Sequence, residues 1–415
     1  TREWLAKFMS QAKRRRILFF AEAVTLAHVA RPLALAQSLD GAHYEVHFAS
    51  AKRYGFAFEK TSFQRWDIDS ISSEEFLRAL ATGSRLYNFR RLQSYVDDDL
   101  RVIGEVRPDL IVGDFRLSLA VSATVANIAY AAIANAYWSP YSTHKTFPLP
   151  DVPINRVFGY DLTSAVFRLS QPLIFKYHAR PLNRLRKKYG LPELGNLLDV
   201  YTHGDYTLYA DLPDLIPTQD LPPNHRFLGH VDWSPDIAFP DWWEQLPPAT
   251  PIIYVNLGSS GPAHLLSTIS AALAELPVKV VMATAGRWQP KSLPPNVRSC
   301  DYLPGNDAAQ RATLVICNGG SPSVYQSLGH GVPIIGITAN MDQLLSMQAV
   351  ERTKTGILLR AADVTEKSLR DAVSRITNNP SFGENARQVR DQLTQINAVE
   401  RFQSFVSEIL KNRPN

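Results

Sequence analysis

A strand, a glycine turn and a helix follow one another in the second half of the sequence, and such a unit can bind phosphate. The strand is Leu314–Cys317, Gly319 and Gly320 form the turn, Ser321 suits the helix start, and Gly331 suits its end. The first backbone N–H groups of a helix have no partner within it, so they attract anions. The alternative is that the glycines only allow close packing.

A second glycine loop of the same kind lies nearer the middle of the chain. Residues 252–257 form an apolar run typical of a buried parallel strand, and a helical pattern covers 263–276. Gly258, Ser259 and Ser260 fall between them. This loop is either a second phosphate-binding element or an ordinary turn in which glycine supplies positive φ.

A histidine and an aspartate in the first half have the residue types of a general base and its orienting partner. His28 begins a helical pattern that follows an apolar strand over 14–20, and Asp114 ends a second apolar strand. Both places lie at the carboxyl ends of predicted parallel strands, where ligands bind in open α/β sheets. A lone histidine at a helix start is otherwise a capping or packing residue. Asp109 is better explained by a surface pairing.

These βαβ units predict an α/β chain with two doubly wound domains. We expect a first domain over 1–235, a proline-rich linker over 236–251 and a second domain over 252–395. An amphipathic helix in 396–415 is predicted to pack back onto the first domain.

The full pattern of the second half, from Asn318 through Gly331-Val332-Pro333 to Asp342-Gln343, resembles the donor-binding segment of the UDP-glycosyltransferase superfamily. This superfamily includes plant natural-product enzymes and bacterial macrolide and MurG-like enzymes. The resemblance implies the GT-B fold, in which two Rossmann-like domains face a cleft. It also implies that the N-terminal domain over 1–235 binds the acceptor and the C-terminal domain over 252–395 binds the nucleotide-sugar donor. His28-Val-Ala-Arg-Pro32 resembles the segment that carries its general base. The resemblance therefore reaches both halves of the chain.

Residue by residue, the resemblance implies a donor site and a catalytic pair. His28 would be the base and Asp114 its partner, Tyr302 would stack on the nucleotide base, and Leu303 would offer backbone groups to it. The donor residues implied by the resemblance are Gly258, Ser259, Ser260, Tyr302, Leu303, Asn318, Gly319, Gly320, Ser321, Ser323, Gln326, Asp342 and Gln343.

Three positions depart from the pattern that the superfamily usually shows. Asn318 stands where a histidine touches the diphosphate, Gln326 where a glutamate binds the ribose, and Gly305 where a glutamine is usual. An amide can donate a hydrogen bond but brings no positive charge. These departures put donor affinity in question.

The implied reaction is inverting, metal-independent transfer of a sugar from a UDP- or dTDP-sugar to a hydroxyl group of an apolar small molecule or lipid. No cofactor other than this co-substrate is expected. Aromatic residues of the first half, Trp138, Tyr141 and Phe147, are candidates for the acceptor pocket, although aromatic residues also serve as plain core. Two alternatives stay open: a non-catalytic partner protein with a degenerate donor site, and a nucleotide-sugar epimerase or hydrolase.

Composition is consistent with a soluble globular enzyme of 415 residues, with 45% hydrophobic and 20% charged residues. The net charge of +5 does not predict nucleic-acid binding, and no histidine cluster has the spacing of a metal site. The two cysteines, Cys300 and Cys317, favour a reducing cytoplasm. The basic and apolar residues of 1–16 leave open a peripheral contact with anionic lipid. The oligomeric state is not predicted.

Overall fold

The computed structural model describes residues 14–247 and 250–411. The segment 1–16 considered for lipid contact lies almost wholly outside these residues. The first half contains a parallel sheet of seven strands in the order β3-β2-β1-β4-β5-β6-β7. Its strands are β1 Arg15–Ala21, β2 Tyr44–Ser50, β3 Gln64–Trp66, β4 Leu110–Asp114, β5 Tyr130–Ala134, β6 Tyr206–Tyr209 and β7 His225–Phe227.

Helices cover both faces of this sheet, which explains why β1 and β4 are apolar along nearly their whole length. The helices are α1 Leu26–Gln37, α2 Ser73–Thr82, α3 Phe89–Val106, α4 Leu119–Val125, α5 Asn155–Phe158, α6 Tyr160–Lys188 and α7 Leu197–Tyr201. The order of strands reverses between β1 and β4, so a crevice opens at their carboxyl ends. His28 and Asp114 were predicted at this point.

The second half contains a parallel sheet of six strands in the order β10-β9-β8-β11-β12-β13. Its strands are β8 Ile252–Asn256, β9 Lys279–Ala283, β10 Val297–Cys300, β11 Leu314–Cys317, β12 Ile334–Thr338 and β13 Gly356–Arg360. Its helices are α8 Leu266–Leu273, α9 Gly305–Arg311, α10 Ser321–Gly329, α11 Met341–Arg352, α12 Glu366–Thr377 and α13 Ser381–Leu393. The strand order reverses between β8 and β11, the two strands that precede the glycine loops.

The last helix, α14 Ala398–Lys411, returns to the first sheet. Phe402 packs on Phe19 of β1 with ring centroids 6.0 Å apart, and Arg226 of β7 forms an ion pair with Glu408. The predicted α/β architecture with a returning C-terminal helix is therefore confirmed. None of the described helices combines the length and apolar character that crossing a bilayer requires.

Candidate active site

The two crevices face each other across one cavity of about 870 Å³, a volume typical of small-molecule sites. Its walls come from both halves of the chain. Among the predicted site residues it is lined by His28, Asp114, Trp138, Gly258, Ser259, Ser260, Tyr302, Leu303, Asn318, Gly320, Ser321, Ser323, Gln326, Asp342 and Gln343. Phe147, Tyr141 and Gly319 are not among the lining residues.

His28 and Asp114 form a hydrogen-bonded pair. Nδ1 of His28 lies 2.9 Å from Oδ1 of Asp114, and the imidazole stacks on the Phe115 ring with centroids 4.7 Å apart. The imidazole is 22% exposed, whereas the carboxylate is fully buried. A carboxylate accepts only, so Nδ1 carries the proton and Nε2 is the nitrogen that can receive one.

Arg31 lies one turn after His28 on α1 and completes this group. Its Nε donates to Oδ2 of Asp114 over 2.6 Å and its Nη2 to Oδ1 over 3.0 Å. Burial alone would raise the pKa of Asp114, but Arg31 and His28 outweigh it and hold the pKa below its ordinary value of 3.8. Burial likewise opposes the charge of Arg31, whose pKa is nevertheless raised, because Asp114 outweighs burial. Asp114 is therefore ionised at neutral pH, and its hydrogen bond orients the imidazole.

The sequence analysis did not identify Arg31. The available signal was its spacing of three residues from His28, which places both side chains on one face of the helix. Arg31 also donates from Nη1 to the side-chain oxygen of Asn135 over 3.0 Å, and Asn135 in turn donates to Oγ of Ser321 over 3.0 Å. These hydrogen bonds link the His28–Asp114 pair to the start of α10.

The start of α10 differs in detail from the prediction. Gly320 occupies the N-cap position and Ser321 is the first helical residue, so the hydroxyl of Ser321 caps nothing and receives the Asn135 hydrogen bond instead. Gly320 and Ser323 line the cavity. The cavity therefore adjoins the start of a helix, a place where an anion can bind.

Gly319 was predicted to hold the diphosphate, and the structure places it elsewhere. It has a positive φ of 74°, its N–H points to Sγ of Cys317 at 3.3 Å, and a side chain there would strike Met347. The strand must turn sharply beside α11, and only glycine fits that space. Gly319 shapes the turn and does not contact the cavity.

Asn318 joins the two glycine loops. Its Nδ2 donates to Oγ of Ser260 over 3.0 Å, and its Oδ1 accepts from the N–H of Gly320 over 3.0 Å. Gly258 is fixed in the same way by Oδ1 of Asn256, which accepts its N–H over 2.9 Å. The side-chain amide of Asn318 thus holds the two loops together.

Gln326 and Gly305, two departures from the superfamily pattern, are in contact. A methyl group at Gly305 would lie 2.7 Å from both Nε2 and Oε1 of Gln326. Nε2 of Gln326 donates to Oδ1 of Asn306 over 3.0 Å, and Asn306 donates to Asp232 of the first half over 2.6 Å. The glycine is thus what allows this glutamine to adopt its position.

This contact predicts that Gly305→Ala weakens nucleotide binding through Gln326. The new methyl group displaces the amide and breaks its bond to Asn306, a loss of about 1 kcal/mol or roughly fivefold in Kd. Calorimetry with UDP and dTDP on Gly305→Ala, Gln326→Ala and the double variant is the measurement. We expect the two effects not to add. Full additivity would show that the two positions act independently.

Asp342 connects the two halves. Its Oδ1 accepts from Nε1 of Trp138 over 2.8 Å and from the hydroxyl of Tyr137 over 3.1 Å. Oδ2 is the oxygen left to meet a ligand hydroxyl. Gln343 is buried, and its Oε1 accepts from the N–H of Ala339 over 2.8 Å, which leaves its Nε2 as the donor available in the cavity.

The three aromatic acceptor candidates have different places. Trp138 lines the cavity, and Phe147 lies behind it, buried against Trp138 and Phe175 with centroids 6.0 and 4.8 Å away. Tyr141 was wrongly placed in the pocket. The chain turns away after Trp138, and the Tyr141 ring packs against His225 of the edge strand β7, 5.2 Å between centroids.

Tyr302 and Leu303 lie on the opposite wall. Tyr302 is 43% exposed, with its ring centroid 5.9 Å from that of Phe56 in the first half, whereas Leu303 is buried. A flat ligand can stack on such an exposed ring. Within the described ranges, no three or more His, Cys, Asp or Glu side chains form a group that could hold a metal ion.

Comparisons with known proteins bear on the family and the fold of this chain. The family "Erythromycin biosynthesis protein CIII-like, C-terminal domain" matches residues 267–400. A "PGL/p-HBAD biosynthesis glycosyltransferase" of Mycobacterium tuberculosis is 50% identical over 381 residues, 92% of this chain and 89% of the relative. A "PGL/p-HBAD biosynthesis rhamnosyltransferase" of Mycobacterium bovis BCG is 51% identical over 92% of this chain and 84% of its own length. The crystal structure of CalG4, the calicheamicin glycosyltransferase, shares the fold, with TM-score 0.69 and 17% identity over 97% of this chain and 100% of that one.

Proposed function

The chain belongs to the UDP-glycosyltransferase superfamily and is a glycosyltransferase of the GT-B fold, and from this premise we propose an inverting, metal-independent sugar transfer from a UDP- or dTDP-sugar to a hydroxyl group of an apolar molecule or lipid. The observation that carries the proposal is the His28–Asp114 pair, which lines the same cavity as the start of α10. One wall then supplies a base and the other an anion site.

In the proposed reaction, Nε2 of His28 takes the proton of the acceptor hydroxyl while that oxygen attacks the anomeric carbon of the donor. The bond from that carbon to the diphosphate breaks in the same step, so the configuration inverts. The leaving diphosphate gains negative charge, which the N–H groups at the start of α10 stabilise. Asp114 stabilises the imidazolium that forms.

The donor is proposed to lie along the second half of the chain. Tyr302 stacks on the base, Gln326 contacts the ribose, and Oδ2 of Asp342 with Nε2 of Gln343 holds the sugar hydroxyls. Because the relative from Mycobacterium bovis is named a rhamnosyltransferase, UDP- and dTDP-rhamnose are the first donors to test. The apolar acceptor is proposed to lie against Trp138.

The test is a transfer assay with these donors and a panel of aromatic and long-chain alcohols. We expect the product to have the opposite anomeric configuration to the donor, as read from the one-bond C1–H1 NMR coupling, which separates the two anomers of rhamnose. A product with the donor's configuration would contradict the inverting mechanism. Donor consumption without any acceptor would instead favour a hydrolase or epimerase.

The two thiols support a cytoplasmic location. Burial raises the pKa of Cys317 to about 12 and that of Cys300 to about 11, so both stay protonated at neutral pH. Cys300 donates to the carbonyl of Tyr302 over 3.2 Å. Unreactive free thiols of this kind are typical of proteins in a reducing compartment.

A further inference from the structure

Exposed hydrophobic side chains concentrate on one part of the first half. Of the thirteen large hydrophobic side chains exposed in the described residues, nine lie between 154 and 177. Five of them form a stripe on α6, which we call the apolar stripe: Leu162, Val166, Leu169, Leu173 and Tyr177. Leu169 is 85% exposed and Leu173 is 72% exposed. Exposed apolar patches of this kind mark interaction sites.

The spacing of the stripe places it on one face of α6. Successive members are three or four residues apart, so they follow one another along a single side of the helix. Phe167 and Phe175 are buried on the opposite side. The stripe is therefore the outward face of a helix that is anchored in the domain by its other face.

The same face of the helix becomes basic from Lys176 onward. Lys176, Arg180, Arg184 and Lys187 continue the three- and four-residue spacing and are exposed. Over its whole length α6 carries seven basic residues and one acidic residue, Asp161, a net charge of +6. An apolar half followed by a basic half is the pattern of a helix that lies in the surface of an anionic membrane.

The stripe is continuous with the active-site cavity. Val166 belongs to the stripe and also lines the cavity, together with Ile154, Phe167 and Ile174 from the same segment. An apolar chain that lies on the stripe can thus reach the cavity past Val166. A second protein bound to the stripe would cover this path, whereas a bilayer could deliver an apolar molecule along it to the cavity.

We infer that α5 and the first half of α6 dock on the surface of an anionic lipid bilayer, with the apolar stripe in the interface and the basic half of α6 on the headgroups. Docking would bring the cavity close to an apolar acceptor in the bilayer, and this part of the inference rests on the proposed function. Binding itself requires neither donor nor acceptor.

The experiment is co-sedimentation of the full chain with vesicles of phosphatidylcholine mixed with phosphatidylglycerol, and with phosphatidylcholine alone. We expect binding to the anionic vesicles that weakens with added salt. Leu169→Glu/Leu173→Glu should lower the partition coefficient at least about tenfold, because two apolar side chains leave the interface. Ile237→Glu, a matched change at an exposed apolar residue outside the stripe, should bind as the unmodified chain does.

A second variant tests the basic half. Lys176→Gln/Arg180→Gln/Arg184→Gln should weaken binding to the anionic vesicles and remove most of its salt dependence. Thermal unfolding and nucleotide binding of every variant should match the unmodified chain, since the changed side chains are exposed and outside the cavity. This control separates a failure of docking from a failure of the transfer proposal.

Three results would overturn the inference. The first is that the unmodified chain stays in the supernatant with anionic vesicles. The second is that Leu169→Glu/Leu173→Glu binds these vesicles as well as the unmodified chain does. The third is a dimer in analytical ultracentrifugation that this double variant converts to a monomer of 46.4 kDa, which would show that the stripe joins two copies.

Discussion

His28→Ala is expected to lower kcat/KM for sugar transfer by about 10²–10⁴-fold, the usual contribution of a general base. Without the imidazole, the acceptor hydroxyl loses the group that we propose removes its proton as the new bond forms. Nucleotide affinity should not change, because the residues proposed to hold the donor come from the second half of the chain. Initial rates at several acceptor concentrations, with calorimetry on UDP and dTDP, measure both quantities.

His43→Ala is the matched control for this experiment. His43 is also a histidine paired with an aspartate, 2.8 Å from Asp40, but its side chain is 75% exposed and lies outside the cavity. It should retain full activity. If His28→Ala also retained full activity, the assignment of His28 as the base would be wrong.

Asp114→Asn is expected to reduce both activity and stability. The amide can donate to Nδ1 of His28, which moves the ring proton to Nε2 and removes the nitrogen that must accept one. A loss of activity on the order of 10²-fold follows. The change also leaves the guanidinium of Arg31 buried without its anion, at a cost of about 3–5 kcal/mol in the free energy of unfolding. Transfer assays and urea unfolding measure the two effects.

The stability loss should depend on pH with a defined sign. The pKa of Asp114 is below 3.8 in the folded chain, so its ionised form stabilises the fold above that value and stops doing so as pH falls through the folded pKa. The difference in unfolding free energy between the two chains should therefore be full at neutral pH and shrink in acid. Asp109→Asn, which changes a partly exposed carboxylate paired with Arg15, is the control. An equal loss in Asp109→Asn would contradict the special role of the buried pair.

Much of the fold follows from the sequence because strands, glycine turns and helix starts are local. The apolar run of β4 ending in Asp114 and the run of β11 ending before Gly319 each predicted a strand whose carboxyl end faces a crevice. Asp109 was also correctly explained as a surface residue, since it pairs with Arg15. Periodicity and turn chemistry carry this information.

Contacts between distant segments could not be predicted in the same way. Asn135 and Ser321 are 186 residues apart, and nothing in either local sequence indicates that an amide of one half bonds a hydroxyl of the other. The position of Tyr141 could not be predicted either, because the turn after Trp138 decides whether the Tyr141 ring faces the cavity or the edge of the sheet. The roles of the donor residues stay predictions.

The bonds from Tyr137 and Trp138 to Asp342 carry a consequence for engineering new substrate preferences. A chimera that joins this first half to another enzyme's second half inherits the two aromatic donors but not necessarily a carboxylate to accept from them. An unmatched indole N–H would then be left at the contact between the two halves. Halves exchanged between such enzymes should therefore be chosen so that residues equivalent to Tyr137, Trp138 and Asp342 are all present, rather than by overall similarity.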